Sequence, residues 1–391
     1  MTRTALISGA GIGGLTAALA LARRGWSVRV LERAQAFGEV GAGLQQSPNA
    51  MRVHQALGTA EAMRAVSFVP EAATIRDGVT GRALVRVPLG ASAQARYGAP
   101  YLHCHRADLH GVLAAACEAA GAVVETNVAV TGYAHGALLT AEDARGADLI
   151  VGADGPRSAI RRQMASEAAP RFSGQAAWRA LVPSDAVPPG TVPPEATSWI
   201  GAGGHVVTYL LRGGTLINVV AVREGRGWAE DGWSVPGEPS ELRAAFAGWD
   251  ARIEAVLGAV EHCYLWGLFD HPPLPRWSDG RVTLLGDAAH PMLPFMAQGA
   301  AMAVEDAWVL ADALDGAPVA DGLRAYEARR RPRVARVQRL AEANAALFHR
   351  QGAWARAKMA VGAALPALPA RAMDGVFGHD VTHGARGRGA C

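Results

Sequence analysis

Thr4-Ala5-Leu6-Ile7-Ser8-Gly9-Ala10-Gly11-Ile12-Gly13-Gly14 is the stretch whose reading decides the fold. Thr4 to Ser8 is an apolar run of strand length, and the Ala/Leu pattern from Gly13 to Arg23 reads as a helix stopped by Gly25. Strand, glycine turn and helix in that order are the context in which G-x-G-x-x-G binds a dinucleotide. Gly9 allows the tight turn, Gly11 lets the backbone approach a pyrophosphate, and Gly14 allows close packing of helix on strand, with Gly13 in the same turn. The helix start then offers unpaired N–H groups and a positive dipole to phosphates. A second strand, Ser27 to Leu31, delivers Glu32, whose carboxylate is placed to accept hydrogen bonds from a ribose diol.

Far downstream, an apolar strand from Arg281 to Leu285 leads into Gly286-Asp287-Ala288-Ala289-His290-Pro291, and Gln298-Gly299-Ala300 opens a long helix to Leu314. Asp287 stands where a carboxylate can grip polyol hydroxyls. The N–H groups at Gly299 and Ala300 point out of a helix start and stabilise negative charge there. Two such sites in one chain imply one long cofactor lying across one domain, and FAD answers that description. His290 is read as a packing or capping residue. Gly201-Ala202-Gly203-Gly204 leads into a strand and fails as a second dinucleotide turn. NADH or NADPH would therefore have to visit the flavin transiently.

The 391 residues suffice for two domains, half of them are hydrophobic, and the net charge is +3. That balance speaks against disorder and against a nucleic-acid partner. The arginines are scattered, and Lys358 is the single lysine, so the basic bias reads as coding composition. Cys104, Cys117, Cys263 and Cys391 form no CxxC pair, and His103-Cys104-His105 alternates across an extended segment. No metal site is expected, and a reducing cytoplasmic setting is. Arg3 and the apolar run to Ala22 imitate a signal peptide, but cleavage there would destroy the glycine turn. No membrane span is expected, since Ala360 to Ala370 is too short and carries two prolines.

Along the chain the pattern runs βαβ, a hairpin over Ala73 to Leu89, more α/β, an alternating strand block from Gly174 to Val222, and a return to α/β. The economical reading is an α/β, Rossmann-like domain interrupted by an antiparallel β-sheet domain, with C-terminal helices. The expected boundaries are 1–72, 101–172 and 276–345 for the nucleotide-binding domain, 73–100 and 173–275 for the inserted domain, and 346–391 for a C-terminal helix and tail. Val123 to Val130 is expected to be one strand, and Gly378 to Cys391 poorly ordered.

Gly9-x-Gly11-x-x-Gly14 with Glu32, Asp148-Leu149-Ile150-Val151-Gly152-Ala153-Asp154-Gly155, and Gly286 to Pro291 together resemble the single-component FAD-dependent aromatic hydroxylases, the class A flavoprotein monooxygenases of para-hydroxybenzoate hydroxylase-like fold. Phe37 to Gly43, His105 to Asp108 and Met296 to Met302 are similar to the salicylate, 3-hydroxybenzoate and 6-hydroxynicotinate branch. The resemblance implies an enzyme that uses FAD, NAD(P)H and O2 to hydroxylate a small aromatic or heteroaromatic acid or phenol through a flavin C4a-hydroperoxide. It further implies that Arg106 reaches the flavin's phosphate or ribityl region, that Asp154 serves FAD and nicotinamide handling, and that Val128 touches adenine through its backbone. Asp287 would hold the ribityl chain, Gly299 and Ala300 would lie under the pyrimidine edge, and Arg33 and Gln45 would add cofactor contacts.

Electrophilic oxygen transfer to a phenol is helped by a nearby base. The strand His205-Val206-Val207-Thr208-Tyr209 puts His205, Val207 and Tyr209 on one face. Tyr209 resembles the tyrosine base of the 6-hydroxynicotinate enzymes, and Gln298 a glutamine beside the substrate in the 3-hydroxybenzoate enzymes. Phe295 and Gln45 stand where pyridine-hydroxylating relatives have histidine, which weighs against 6-hydroxynicotinate. Arg179 and Arg212 are candidates for a substrate carboxylate. A same-fold epoxidase, a hydroxylase of a quinone or polyketide, and a non-catalytic flavin-fold binding protein are the alternatives. The expected partners are a small aromatic substrate and O2, with the protein a monomer or homodimer.

Overall fold

A computed structural model describes residues 2–37, 43–164, 170–225, 235–349 and 367–383. Residues 38–42 of the Phe37–Gly43 motif lie outside the described residues. Thr4–Ser8 is the pivot of a six-stranded sheet, ordered Ser278–Asp279, Val282–Leu284, Leu149–Gly152, Thr4–Ser8, Ser27–Leu31 and Val123–Glu125. All pairings are parallel except that of the Ser278–Asp279 edge. Ile7 pairs with both Val151 and Val30 and is fully buried, as a strand covered on both faces must be. Strands from the first 31 residues, from 123–125, from 149–152 and from 278–284 thus share one sheet, and segments between them build a second sheet.

The insertion is an eight-stranded sheet ordered Val235–Gly237, Cys263–Asp270, Arg171–Pro183, Leu216–Glu224, Gly204–Leu211, Glu195–Gly201, Ala72–Asp77 and Ala83–Pro88. The hairpin joins it through a parallel pairing of Ala72–Asp77 with Glu195–Gly201. Trp178, Trp199 and Phe246 fill the core on one side of this sheet. The Cys263–Asp270 strand and the 31-residue helix Val319–His349, which has Pro332 inside it, carry no signal used in the sequence reading. A proline at that position mimics a helix stop.

Two expectations need correction. Val123 to Val130 is not one strand: pairing ends at Glu125, and Asn127 turns the chain at φ +60°. There the Asn127 N–H donates to the Ala34 carbonyl at 3.0 Å and the Val128 N–H to the Glu32 carbonyl at 2.8 Å, folding this loop over the end of the glycine turn. The tail beyond Gly378 is tied down as far as His383. Arg52 donates to the carbonyls of Phe377 and His379, both at 2.7 Å, and Val381 sits in the main core. Residues 384–391 lie outside the described residues.

Beneath the sheet lies a fully buried ion network. Arg330 donates to Asp306 Oδ1 and Glu305 Oε2, each at 2.6 Å, and Arg333 to Glu305 Oε1 at 3.0 Å. Asp306 Oδ2 accepts the Gly286 N–H at 3.0 Å and faces His290 Nε2 at 2.5 Å. Burial alone would push the Asp306 carboxyl up, but His290 and Arg330 outweigh it and hold it at about 2. Removing one partner of a buried pair strands the other, so Arg330→Met is expected to cost about 3–5 kcal/mol in urea unfolding. Arg330→Lys is expected to restore only part, because one ammonium cannot reproduce the fork onto two carboxylates. The depressed carboxyl adds stability that is complete above its ordinary value of 3.8 and lost as pH falls through about 2. A pH titration of the urea midpoint is expected to show this acid loss in the wild type and a smaller one in Arg330→Met.

Candidate active site

At one end of the site the Thr4–Ser8 strand passes into the glycine turn. Gly9 has φ +98°, and a Cβ on it would meet the Ala153 carbonyl oxygen at 2.6 Å. A Cβ on Gly14 would stand 2.0 Å from the Gly9 oxygen, and one on Gly13 2.6 Å from Leu285 Cδ2. These three glycines are required by packing. Gly11 is different: nothing lies within 4 Å of its Cβ position, and the residue lines a cavity. It therefore supplies room for an incoming group above the start of helix Ile12–Ala22. The Glu32 carboxylate accepts the N–H groups of Ala10 at 2.8 Å and Ala34 at 2.9 Å, which aims it across the turn. Each oxygen keeps a lone pair for a ribose hydroxyl. Arg33 and Val128 line the same end, and because the Val128 N–H is taken by Glu32, only its carbonyl can meet a base.

In the middle of the cavity stand Arg106, Asp154, Asp287, Gly299 and Ala300. Asp154 Oδ2 accepts the Ala159 N–H at 3.0 Å, while its Oδ1 is buried with no hydrogen-bond partner. Burial raises the Asp154 carboxyl, against its bonds to Ser158 and Ala159. Burial also raises Asp287, with His290 and Arg106 opposing. The 3₁₀ turn Gly286–Ala288 that carries Asp287 is anchored from below by Asp306. Helix Gly299–Ala313 opens directly beside it, after Ala297 at φ +51°. A buried acceptor lacking a donor, a carboxylate aimed over the turn and a helix start facing open space fit the hydroxyls, phosphates and electron-rich ring edge of FAD.

The inserted sheet closes the far end. His205, Val207 and Tyr209 all line the cavity, as strand alternation requires, together with Arg179, Val220 and Trp266. Thr208 faces the other way and takes the Trp199 indole N–H at 3.2 Å. Tyr209 packs against His103 with ring centroids 4.6 Å apart, and a Cβ on Gly43 would lie 2.5 Å from its ring. Burial pushes the Tyr209 phenol well above its ordinary range, against the pull of Arg179. The phenol is therefore a hydrogen-bond donor at neutral pH and a poor base. The Arg179 guanidinium sits 4.5 Å over the Trp266 ring; burial lowers it to about 10, which leaves it cationic.

Three of the expected residues carry hydrogen bonds within the protein. Gln298 is buried off the cavity wall, its Nε2 donating to Ser47 Oγ at 3.0 Å and its Oε1 accepting from Asn49 at 3.2 Å. Arg212 is held by Asp108 in a two-pronged pair at 2.8 and 2.7 Å. Gln45 lines the cavity but accepts the Tyr101 hydroxyl at 2.5 Å. His205, on the same strand face as Tyr209, also lines the cavity. Burial, with a smaller push from His349, lowers its imidazole to about 3, so it is neutral. Phe295 packs on it at 5.5 Å.

One cavity of about 780 Å³ joins the glycine turn to this aromatic end. Residues 2–341 match the family described as FAD binding domain. The chain is 42% identical over 361 residues to 3-amino-4-hydroxybenzoate 2-monooxygenase PtnB3 of Streptomyces platensis, covering 89% of this chain and 88% of that one. It is 39% identical to 3-hydroxybenzoate 6-hydroxylase 1 of Aquipseudomonas alcaligenes, covering 90% and 91%. A solved substrate complex of salicylate hydroxylase superposes with a TM-score of 0.81 at 25% identity, covering 98% of this chain and 97% of that one. Gly43→Ala is expected to cost about 1–3 kcal/mol and to displace the Tyr209 ring. Gly146→Ala, which meets nothing within 4 Å, is the control. Thermal melting and the spectral response of the loaded protein to aromatic acids check both.

Proposed function

Since the chain belongs to the FAD-binding-domain family over residues 2–341, we propose that it is an FAD-dependent aromatic-ring monooxygenase, consuming NADH or NADPH and O2 to hydroxylate a small aromatic acid that carries a ring hydroxyl. The observation that supports this most is the single cavity shared by Gly11, Glu32, Asp287 and Gly299 at one end and by Arg179, His205 and Tyr209 at the other. Gly11, Glu32, Arg106, Asp154, Asp287, Gly299 and Ala300 would hold FAD. Bound FAD supplies the activation of O2, using electrons from the nicotinamide, so that one oxygen atom enters the ring and the other leaves as water.

This chain's own residues do the rest. Arg179 is a half-buried cation on the cavity wall, positioned to take the substrate carboxylate, and Trp266, Val207 and Val220 offer an apolar wall for a flat ring. Tyr209 donates a hydrogen bond to a substrate oxygen. Neutral His205 accepts the proton of the ring hydroxyl, which raises electron density where oxygen must add. Among the described residues no helix is long and apolar enough to cross a membrane. We infer a cytoplasmic monomer or homodimer whose partners are its substrate and O2.

The test is a panel of 3-hydroxybenzoate, 3-amino-4-hydroxybenzoate and salicylate, followed by oxygen uptake and product mass together. One of them is expected to accelerate nicotinamide oxidation and to yield a product one oxygen heavier. Acceleration by none, or peroxide as the sole product, refutes the proposal. Asp287→Ala is expected to purify folded but depleted of yellow cofactor. Arg179→Met is expected to raise KM for the carboxylated ring about tenfold or more, with a smaller effect on the matching phenol lacking the carboxylate.

A further inference from the structure

A chain of three titratable side chains leads from the cavity to solvent. His205 Nδ1 lies 2.7 Å from His349 Nε2, and His349 Nδ1 lies 2.7 Å from Glu224 Oε1. His205 is on the cavity wall, His349 is buried at the end of helix Val319–His349, and the Glu224 side chain is 46% exposed at the end of strand Leu216–Glu224. Gln175 flanks the pair: its amide nitrogen donates to Glu224 Oε1 at 3.5 Å and lies 3.3 Å from His349 Nδ1, which can accept from it only in the other tautomer. Phe295 and Phe348 pack against the His205 ring.

We propose that Glu224, His349 and His205 form a proton relay that carries the ring-hydroxyl proton of the substrate from the cavity to solvent and back again. This rests on the proposed aromatic-acid hydroxylation and names a pathway for its proton. The hydrogen-bond inventory sets the tautomers. An ionised Glu224 can only accept, so His349 carries its proton on Nδ1 and its Nε2 is bare. A bare Nε2 can only accept, so His205 carries its proton on Nδ1 and offers an unprotonated Nε2 to the cavity.

Each transfer balances. The substrate O–H bond breaks as the His205 Nε2–H bond forms; the His205 Nδ1 proton passes to His349 Nε2; the His349 Nδ1 proton passes to Glu224, which hands it to water. Run backwards, the same chain returns a proton to the product oxygen. A relay is needed because burial penalises an imidazolium at His205. Gaining a proton at Nε2 while losing one at Nδ1 leaves both rings neutral and delivers the proton to the one exposed member. His349 and Glu224 act through His205 and touch no substrate.

Two measurements on the FAD-loaded full chain decide the matter. The first uses no ligand: nitrogen-15 NMR of labelled histidines, assigned by difference against His205→Gln and His349→Gln. Both residues are expected with protonated Nδ1 and bare Nε2, and Glu224→Gln is expected to shift the His349 signals. A His205 that carries its proton on Nε2 overturns the relay, whatever the substrate is. The second mixes the protein with 3-hydroxybenzoate in a stopped-flow instrument and follows phenolate absorbance, with bound ligand measured separately. His349→Gln and Glu224→Gln are expected to keep ligand binding and slow phenolate formation by about ten- to hundredfold, with added imidazole restoring part of the His349→Gln rate. Wild-type rates in both variants overturn the relay. Failure of the wild type to bind 3-hydroxybenzoate or any acid of the panel counts against the substrate class instead, and the ligand-free spectrum still decides the relay.

Discussion

Two adjacent carboxylates on one buried helix hold the site together. Glu305 and Asp306 follow the start of Gly299–Ala313 by less than two turns, and neither is exposed. Two arginines of the long C-terminal helix neutralise them. Asp306 then grips the Gly286 N–H, which sets the turn carrying Asp287. Glu305 grips Asn49, which with Ser47 fixes Gln298 at the helix cap. Arg333 continues to the carbonyls of Gly375 and Val376 and so fastens the last described helix. Such a network is costly to desolvate and stabilises the fold only when complete. Its benefit is rigidity: the aspartate turn and the helix start cannot move independently.

The two ends of the cavity complement each other electrically. The glycine-turn end combines helix starts and Arg106 with the carboxylates of Glu32, Asp154 and Asp287, a mixture suited to a phosphate-linked polyol. The aromatic end holds a cation in Arg179, a protonated phenol in Tyr209 and a neutral imidazole in His205. Burial keeps the phenol protonated and the imidazole neutral, and it lowers the guanidinium without discharging it. The His205–His349–Glu224 contacts run from the cavity wall to an exposed carboxylate.

Much of this was legible in the residues. Gly9, Gly11, Gly14, Glu32 and Asp287 could be read because their chemistry is local: a backbone turn, a helix start and a strand end each declare themselves within a few residues. The alternation of His205, Val207 and Tyr209 was legible too, though not which of them titrates usefully. Gln298 reads as a substrate neighbour from its motif and is drawn off the wall by Ser47 and Asn49, some 250 positions away. Arg212 and Arg179 look alike in sequence. Asp108 holds one, and the cavity receives the other.

The chain by itself determined that a dinucleotide turn and an aspartate loop lie in one interrupted α/β domain, because strand period, glycine spacing and helix starts are short-range properties. Only the tertiary structure decided which polar groups are neutral, which arginine faces the ring, and that His349 meets His205 across 144 positions. Those outcomes depend on desolvation and on partners brought together by packing, and neither quantity is written in any local window of residues.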